Sequence, residues 1–181
     1  MNIVLIGYRC CGKSAVGKLL AEKLGRDFVD SDTLIQLQSG RPIPQIVAEN
    51  GWAAFRDLER QVISELARKD NLVIATGGGV VLDGRNVSRL KENGWVVWLQ
   101  AGPETIGGRM AADIVSGQVR PSLTGAGPVA EIAAVLLERE PHYNNAGDIA
   151  IDTGSLALQE VVDRIIDRLP PDFGDESSLR H

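Results

Sequence analysis

The sequence predicts an α/β fold, a parallel sheet with helices on both faces, and three observations carry that prediction. Short apolar runs alternate with amphipathic segments along almost the whole chain, the pattern left by successive strand–helix units. The first run, Ile3-Val4-Leu5-Ile6, breaks at Gly7 into "GYRCCGKS" and then into a helical stretch. The carboxyl ends of the predicted strands also collect glycines and acids, namely Gly7, Asp30, Thr76 to Gly79 and the residues after Leu99. Open α/β sheets bind ligands at those ends.

Each element has its own signal. Residues 3–6 are apolar and β-branched without alternation, as in a strand buried on both faces. From Lys13 to Leu24, Val16, Leu19, Leu20, Ala21 and Leu24 recur at helical spacing, and Gly25 supplies the stop. Asp27 to Asp30 reads as a second strand, and Gly40, Pro42 and Pro44 as a loop. A helix is expected from about Trp52 to Arg68, with Phe55, Leu58, Val62 and Leu66 on one stripe. Leu72 to Ala75 is a third strand, residues 85–93 a helix and Trp95 to Leu99 a fourth strand. Pro103 to Met110 reads as helical, and residues 111–128 are glycine-rich with two prolines. A helix from Val129 to about Glu140, a strand from Asp148 to Asp152 and a helix from Leu156 to Leu169 complete the pattern. Residues 170–181 are polar, acidic and proline-bearing and read as a disordered tail.

A chain of 181 residues, 44% hydrophobic and 24% charged, supports one domain with its own core. The formal charge of −5 gives no overall attraction for nucleic acid. The two cysteines are neighbours, which excludes a disulfide framework. The apolar run at the N-terminus is too short for a signal peptide or a membrane span, so a cytoplasmic protein with no membrane partner is expected.

The chemistry starts from Gly7-x-x-x-x-Gly12-Lys13-Ser14, set between a buried strand and an amphipathic helix. Successive backbone N–H groups in such a loop form an anion nest, reinforced by the helix N-terminus. Lys13 can reach β- and γ-phosphates and the Ser14 hydroxyl can ligate Mg²⁺. Cys10 and Cys11 lack the Cys-x-x-Cys spacing of a redox pair and read as small residues tolerated in a loop that works through its amides. Asp30-Ser31-Asp32 follows the second strand; one carboxylate can orient magnesium and the other an acceptor hydroxyl, or the cluster can cap a helix. Arg56 can extend to solvent or offer a fork to a carboxylate. Gly77-Gly78-Gly79 costs chain entropy and points to close backbone approach to a ligand.

In order, "GYRCCGKS", "DSD", "FRDLE", "TGGGVV", "VRPSL" and "EREPHY" resemble the shikimate kinase family over roughly residues 1 to 168. The resemblance implies a three-layer α/β/α P-loop kinase fold with a five-stranded parallel sheet. It implies one domain over residues 1–169 with a mobile lid at about 111–127. It implies transfer of the γ-phosphoryl of ATP to the 3-hydroxyl of shikimate in chorismate biosynthesis, with Mg²⁺, by a monomer. Carried over by position, Cys10, Cys11, Gly12, Lys13, Ser14 and Ala15 would line the ATP phosphates, with Ser14 and Asp30 at the metal. Asp32 would hold the acceptor hydroxyls and serve as base. Arg56 and Arg139 would grip the carboxylate, beside the amides of Gly77, Gly78 and Gly79. Arg120 would close over the phosphates from the lid, completing a catalytic set with Lys13 and Asp32. Arg109 would lie against adenine.

Some positions depart from the family's commonest form. Cys10 stands where glycine is usual and Ala15 where threonine is common. Val47 replaces an aromatic, Trp52 a glutamate, and Ser122 interrupts the lid motif. These changes keep open a kinase for another small hydroxy acid, such as gluconate. A non-catalytic nucleotide-binding regulator would show loss of Lys13, the Asp-x-Asp carboxylates or Arg120, and all are present.

Overall fold

A computed structural model describes residues 1–115 and 128–173. Strands β1 (Asn2–Ile6), β2 (Asp27–Asp30), β3 (Leu72–Ala75), β4 (Gly94–Gln100) and β5 (Ile149–Asp152) form one sheet in the order β2-β3-β1-β4-β5. All four pairings are parallel. With β1 central and β3 and β4 as its neighbours, the loop after β1 lies between the loops after β3 and β4. That arrangement brings the phosphate-loop motif and the glycine run side by side.

Helices cover both faces: α1 (Lys13–Leu24), α2 (Ser31–Ser39), α3 (Ile43–Leu66), α4 (Gly84–Glu92), α5 (Pro103–Val115), α6 (Pro128–Ala146) and α7 (Leu158–Ile166). Alternate residues of β1 enter different cores. Val4 and Ile6 pack with Ile35, Phe55, Ile63, Leu90 and Tyr143 on one face. Ile3 and Leu5 pack with Val16, Leu20, Val161 and Ile165 on the other. This two-sided burial explains why the strand reads as a continuous apolar run. A third cluster, Tyr8, Ile106, Ile132 and Val135, joins the α5–α6 hairpin to the phosphate loop.

The five strands fall where the sequence places them, and the helices differ in five places. Helix α2 occupies residues to which the sequence assigned no element, because the Asp30 side chain accepts from the amides of Asp32 and Thr33 and so caps it. Helix α3 starts at Ile43, with proline in its first turn, and passes a break at Gly51 (φ 79°) before the predicted start at Trp52. Helix α5 runs on to Val115, so the first residues of the expected lid are helical. Helix α6 continues past Glu140 through Pro141 to Ala146, carried by the buried Tyr143 and Ala146. The expected tail begins with an ordered 3₁₀ turn, Pro171–Phe173, whose ring sits 6.1 Å from Trp95 and under the Arg26 guanidinium. Residues 116–127, including Arg120 and Ser122, and 174–181 lie outside the described residues.

Candidate active site

The loop from Gly7 to Lys13 turns on three unusual backbone conformations. Gly7 has φ 141°, and a Cβ there would meet the Leu99 carbonyl and, at 2.8 Å, Cys11 Sγ. Gly12 has φ 103° and opens α1. Cys10 has φ 59°, one of two non-glycine residues at positive φ among the described residues. A left-handed conformation costs a residue with a Cβ about 1–2 kcal/mol. Cys10, at the position where the resemblance leads one to expect glycine, therefore sits where the backbone does call for φ > 0.

Lys13 is buried; its Nζ donates to the carbonyls of Gly7 at 2.8 Å and Tyr8 at 2.7 Å and lies 3.7 Å from Cys11 Sγ. The ammonium thus stands over the loop it serves. Cys11 is fully buried in a core, which fits a spacer role, while Cys10 is half-buried with Sγ 3.4 Å from Asp113 Oδ2. Ser14 and Ala15 are exposed at the head of α1. Ser14 Oγ donates to Asp30 Oδ2 at 2.8 Å, so Asp30 caps α2 with one oxygen and meets Ser14 with the other. The capping reading of the Asp-x-Asp cluster is met by Asp30, whose other oxygen stands beside Ser14. Two hard oxygen donors at the phosphate loop suit Mg²⁺, which takes few protein ligands and relies on phosphate and water for the rest.

Each glycine of the run makes room for a different neighbour. A Cβ on Gly77 would lie 2.6 Å from Asp32 Oδ1, one on Gly78 3.2 Å from the Arg9 amide nitrogen, and one on Gly79 would collide with the Arg56 guanidinium. The Gly77 amide is already taken by Ser31 Oγ at 3.1 Å, so it is not available to an acceptor as the sequence reading had it. The Gly78 carbonyl accepts from Arg139 Nη1 at 3.1 Å and Tyr143 Oη at 2.6 Å. Asp32, Arg56 and Arg139 therefore converge on one glycine run beside the phosphate loop.

Two supporting groups had no assigned role in the sequence. Glu59 is fully buried and receives Arg56 Nη1 on both oxygens at 2.8 Å. Burial raises its pKa, against the lowering pull of Arg56. Its i,i+3 spacing from Arg56 was the available clue. Tyr143 is buried, and desolvation raises its hydroxyl pKa far above the usual tyrosine range, keeping it a donor to Gly78. Arg109 donates to the Cys10 carbonyl at 3.2 Å and the Thr153 carbonyl at 2.6 Å, bridging the phosphate loop and the segment after β5. Thr153 Oγ1 lies 2.8 Å from the Cys11 carbonyl. Trp52 is 44% exposed, with its ring 5.8 Å from the Arg56 guanidinium carbon.

A phosphate-cradling loop, a Ser–Asp pair suited to Mg²⁺ and paired arginines beside a carboxylate define a P-loop kinase acting on a small acceptor. The comparisons narrow that class. The family profile described as shikimate kinase matches residues 9–170. A shikimate kinase from Symbiobacterium thermophilum is 43% identical over 169 residues, covering 93% of this chain and 96% of the relative. One from Moorella thermoacetica is 47% identical over 152 residues, 84% of each chain. The solved shikimate kinase from Acinetobacter baumannii in complex with shikimate superposes with a TM-score of 0.84 at 36% identity, covering 92% of this chain and 90% of that one. The chain belongs to the shikimate kinase family.

Proposed function

We propose that this chain transfers the γ-phosphoryl of ATP to the 3-hydroxyl of shikimate, giving 3-phosphoshikimate and ADP, as a cytoplasmic monomer. The convergence of Asp32, Arg56 and Arg139 on Gly77 to Gly79 carries the reading, together with family membership. Two guanidinium forks suit a small planar carboxylate better than ammonium groups do. Gluconate is an open chain and lacks the ring that would fix its carboxylate relative to one hydroxyl.

In the proposed cycle the amides of the phosphate loop and Lys13 receive the ATP phosphates, Lys13 Nζ turning from the Gly7 and Tyr8 carbonyls toward the β- and γ-oxygens. Ser14 and Asp30 would hold Mg²⁺, which when bound would supply charge neutralisation to the phosphates. Arg56 and Arg139 fix the shikimate carboxylate and thereby aim the 3-hydroxyl. Asp32 takes the hydroxyl proton as the oxygen bonds to the γ-phosphorus and the bond from that phosphorus to the bridging oxygen of ADP breaks. Arg120 supplies further charge over the transferring group, and Arg109 faces the base of the nucleotide. Among the described residues no helix is long and apolar enough to cross a membrane.

ADP release at saturating Mg·ATP, measured with shikimate and separately with gluconate, tests the proposal. Stimulation by shikimate alone is expected; equal stimulation by gluconate would overturn the acceptor assignment.

A further inference from the structure

Cys10 sits at φ 59° in the middle of a loop whose function depends on where its amides point. Glycine reaches that conformation without resistance, whereas a residue with a Cβ must be held there by its surroundings. Among the described residues, the α5–α6 hairpin supplies holding contacts. On α5, Arg109 donates to the Cys10 carbonyl and Asp113 meets the Cys10 thiol. On the first turn of α6, the Glu131 carboxylate lies 3.5 Å from the Arg9 guanidinium, the two side chains being 4% and 13% exposed. The Arg9 guanidinium also lies 5.6 Å from the Tyr8 ring centroid, so the pair gathers the loop residues just before Cys10. Eight residues further along α6, Arg139 reaches the Gly78 carbonyl. Helix α6 is thus fastened to the phosphate loop at one end and to the acceptor run at the other.

We propose that Glu131 is a positioning residue for the nucleotide: through Arg9 it holds the phosphate loop in the conformation that Cys10, unlike glycine, does not adopt unaided. The inference rests on the phosphate-loop part of the proposed function and not on the identity of the acceptor. It ties the ion pair to the departure at position 10, because a loop with glycine there has little need of an external brace. A buried ion pair that served only to fasten α6 would matter equally with either residue at position 10.

A double-mutant cycle read by Mg·ADP binding in titration calorimetry separates those cases. With Cys10 present, Glu131→Gln is expected to weaken Mg·ADP binding about tenfold, the size set by left-handed strain at one residue. In the Cys10→Gly background the same change should move the dissociation constant less than about twofold, since the two sites are then uncoupled. An equal loss in both backgrounds, or no loss with Cys10, overturns the proposal. Should Glu131→Gln fail to fold, Arg9→Gln carries the same cycle with the same expected pattern. Acceptor chemistry does not enter this readout. A wild-type protein that binds Mg·ADP yet ignores shikimate would refute the acceptor assignment and leave the cycle legible.

Discussion

Replacing Glu59 by glutamine separates acceptor recognition from folding stability. Glu59 is fully buried and accepts twice from Arg56 Nη1 at 2.8 Å, while the Arg56 side chain keeps 26% exposure. Glutamine preserves the shape and one acceptor but removes the charge. A hydrogen bond to a charged group contributes about 1.5–3 kcal/mol and a neutral one about 1 kcal/mol, so the anchor weakens by about 0.5–2 kcal/mol. Partial solvation of Arg56 puts the loss at the lower end, or about two- to fivefold in the shikimate KM. Stability should move differently. Burial raises the Glu59 pKa, so its ionisation opposes folding. For a raised acid, the stabilising contribution is complete below its unfolded value and is lost as pH rises through the folded value. The Glu59→Gln protein should therefore lack that decline above the ordinary glutamate range. Coupled ADP release against shikimate concentration, with thermal unfolding across pH, tests both halves. An unchanged shikimate KM would show that Glu59 does not hold Arg56 for the acceptor.

Three further outcomes follow from the same geometry. Asp32→Ala should abolish transfer while calorimetry still detects Mg·ADP binding; near-normal turnover removes Asp32 as base. Gly79→Ala puts a methyl group into the Arg56 guanidinium and should raise the shikimate KM while the ATP KM holds, in steady-state assays varying each substrate; equal rises would mean a general loop disturbance. Asp83, held at about 2 chiefly by its hydrogen bonds from Arg85, caps α4. As a lowered acid it stabilises the fold above the ordinary aspartate range, and that support is lost as pH falls toward 2. Asp83→Asn should lower Tm at pH 6 and narrow its difference from the wild type at acid pH; a constant difference contradicts the charge role.

The sheet was legible because strands covered on both faces leave unbroken apolar runs, as in Ile3 to Ile6 and Leu72 to Ala75. The phosphate loop was legible because its work is done by backbone and therefore leaves a spacing. Helix α2 was not, since its signal is a cap: Asp30 reads equally as a metal-side carboxylate and as an N-cap, and it touches both Ser14 and the α2 amides. The end of α6 was masked by Pro141, whose missing N–H argues against a helix that the burial of Tyr143 sustains. Glu59 and Tyr143 stood inside quoted motifs without a role. Their importance comes from burial against Arg56 and Gly78, and burial of one polar residue is a property of the folded neighbourhood. The glycine run was read as open amides for a ligand. Its main demand is clearance for Asp32, the Arg9 backbone and Arg56, a requirement invisible until those groups share one place.

The most direct test of the central claim is product identification after incubation with Mg·ATP and shikimate. The account predicts ADP and shikimate phosphorylated at the 3-hydroxyl in equal amounts, assigned by phosphorus–proton coupling in NMR. ADP formed at the same rate without shikimate, or phosphate found on another hydroxyl, would contradict it.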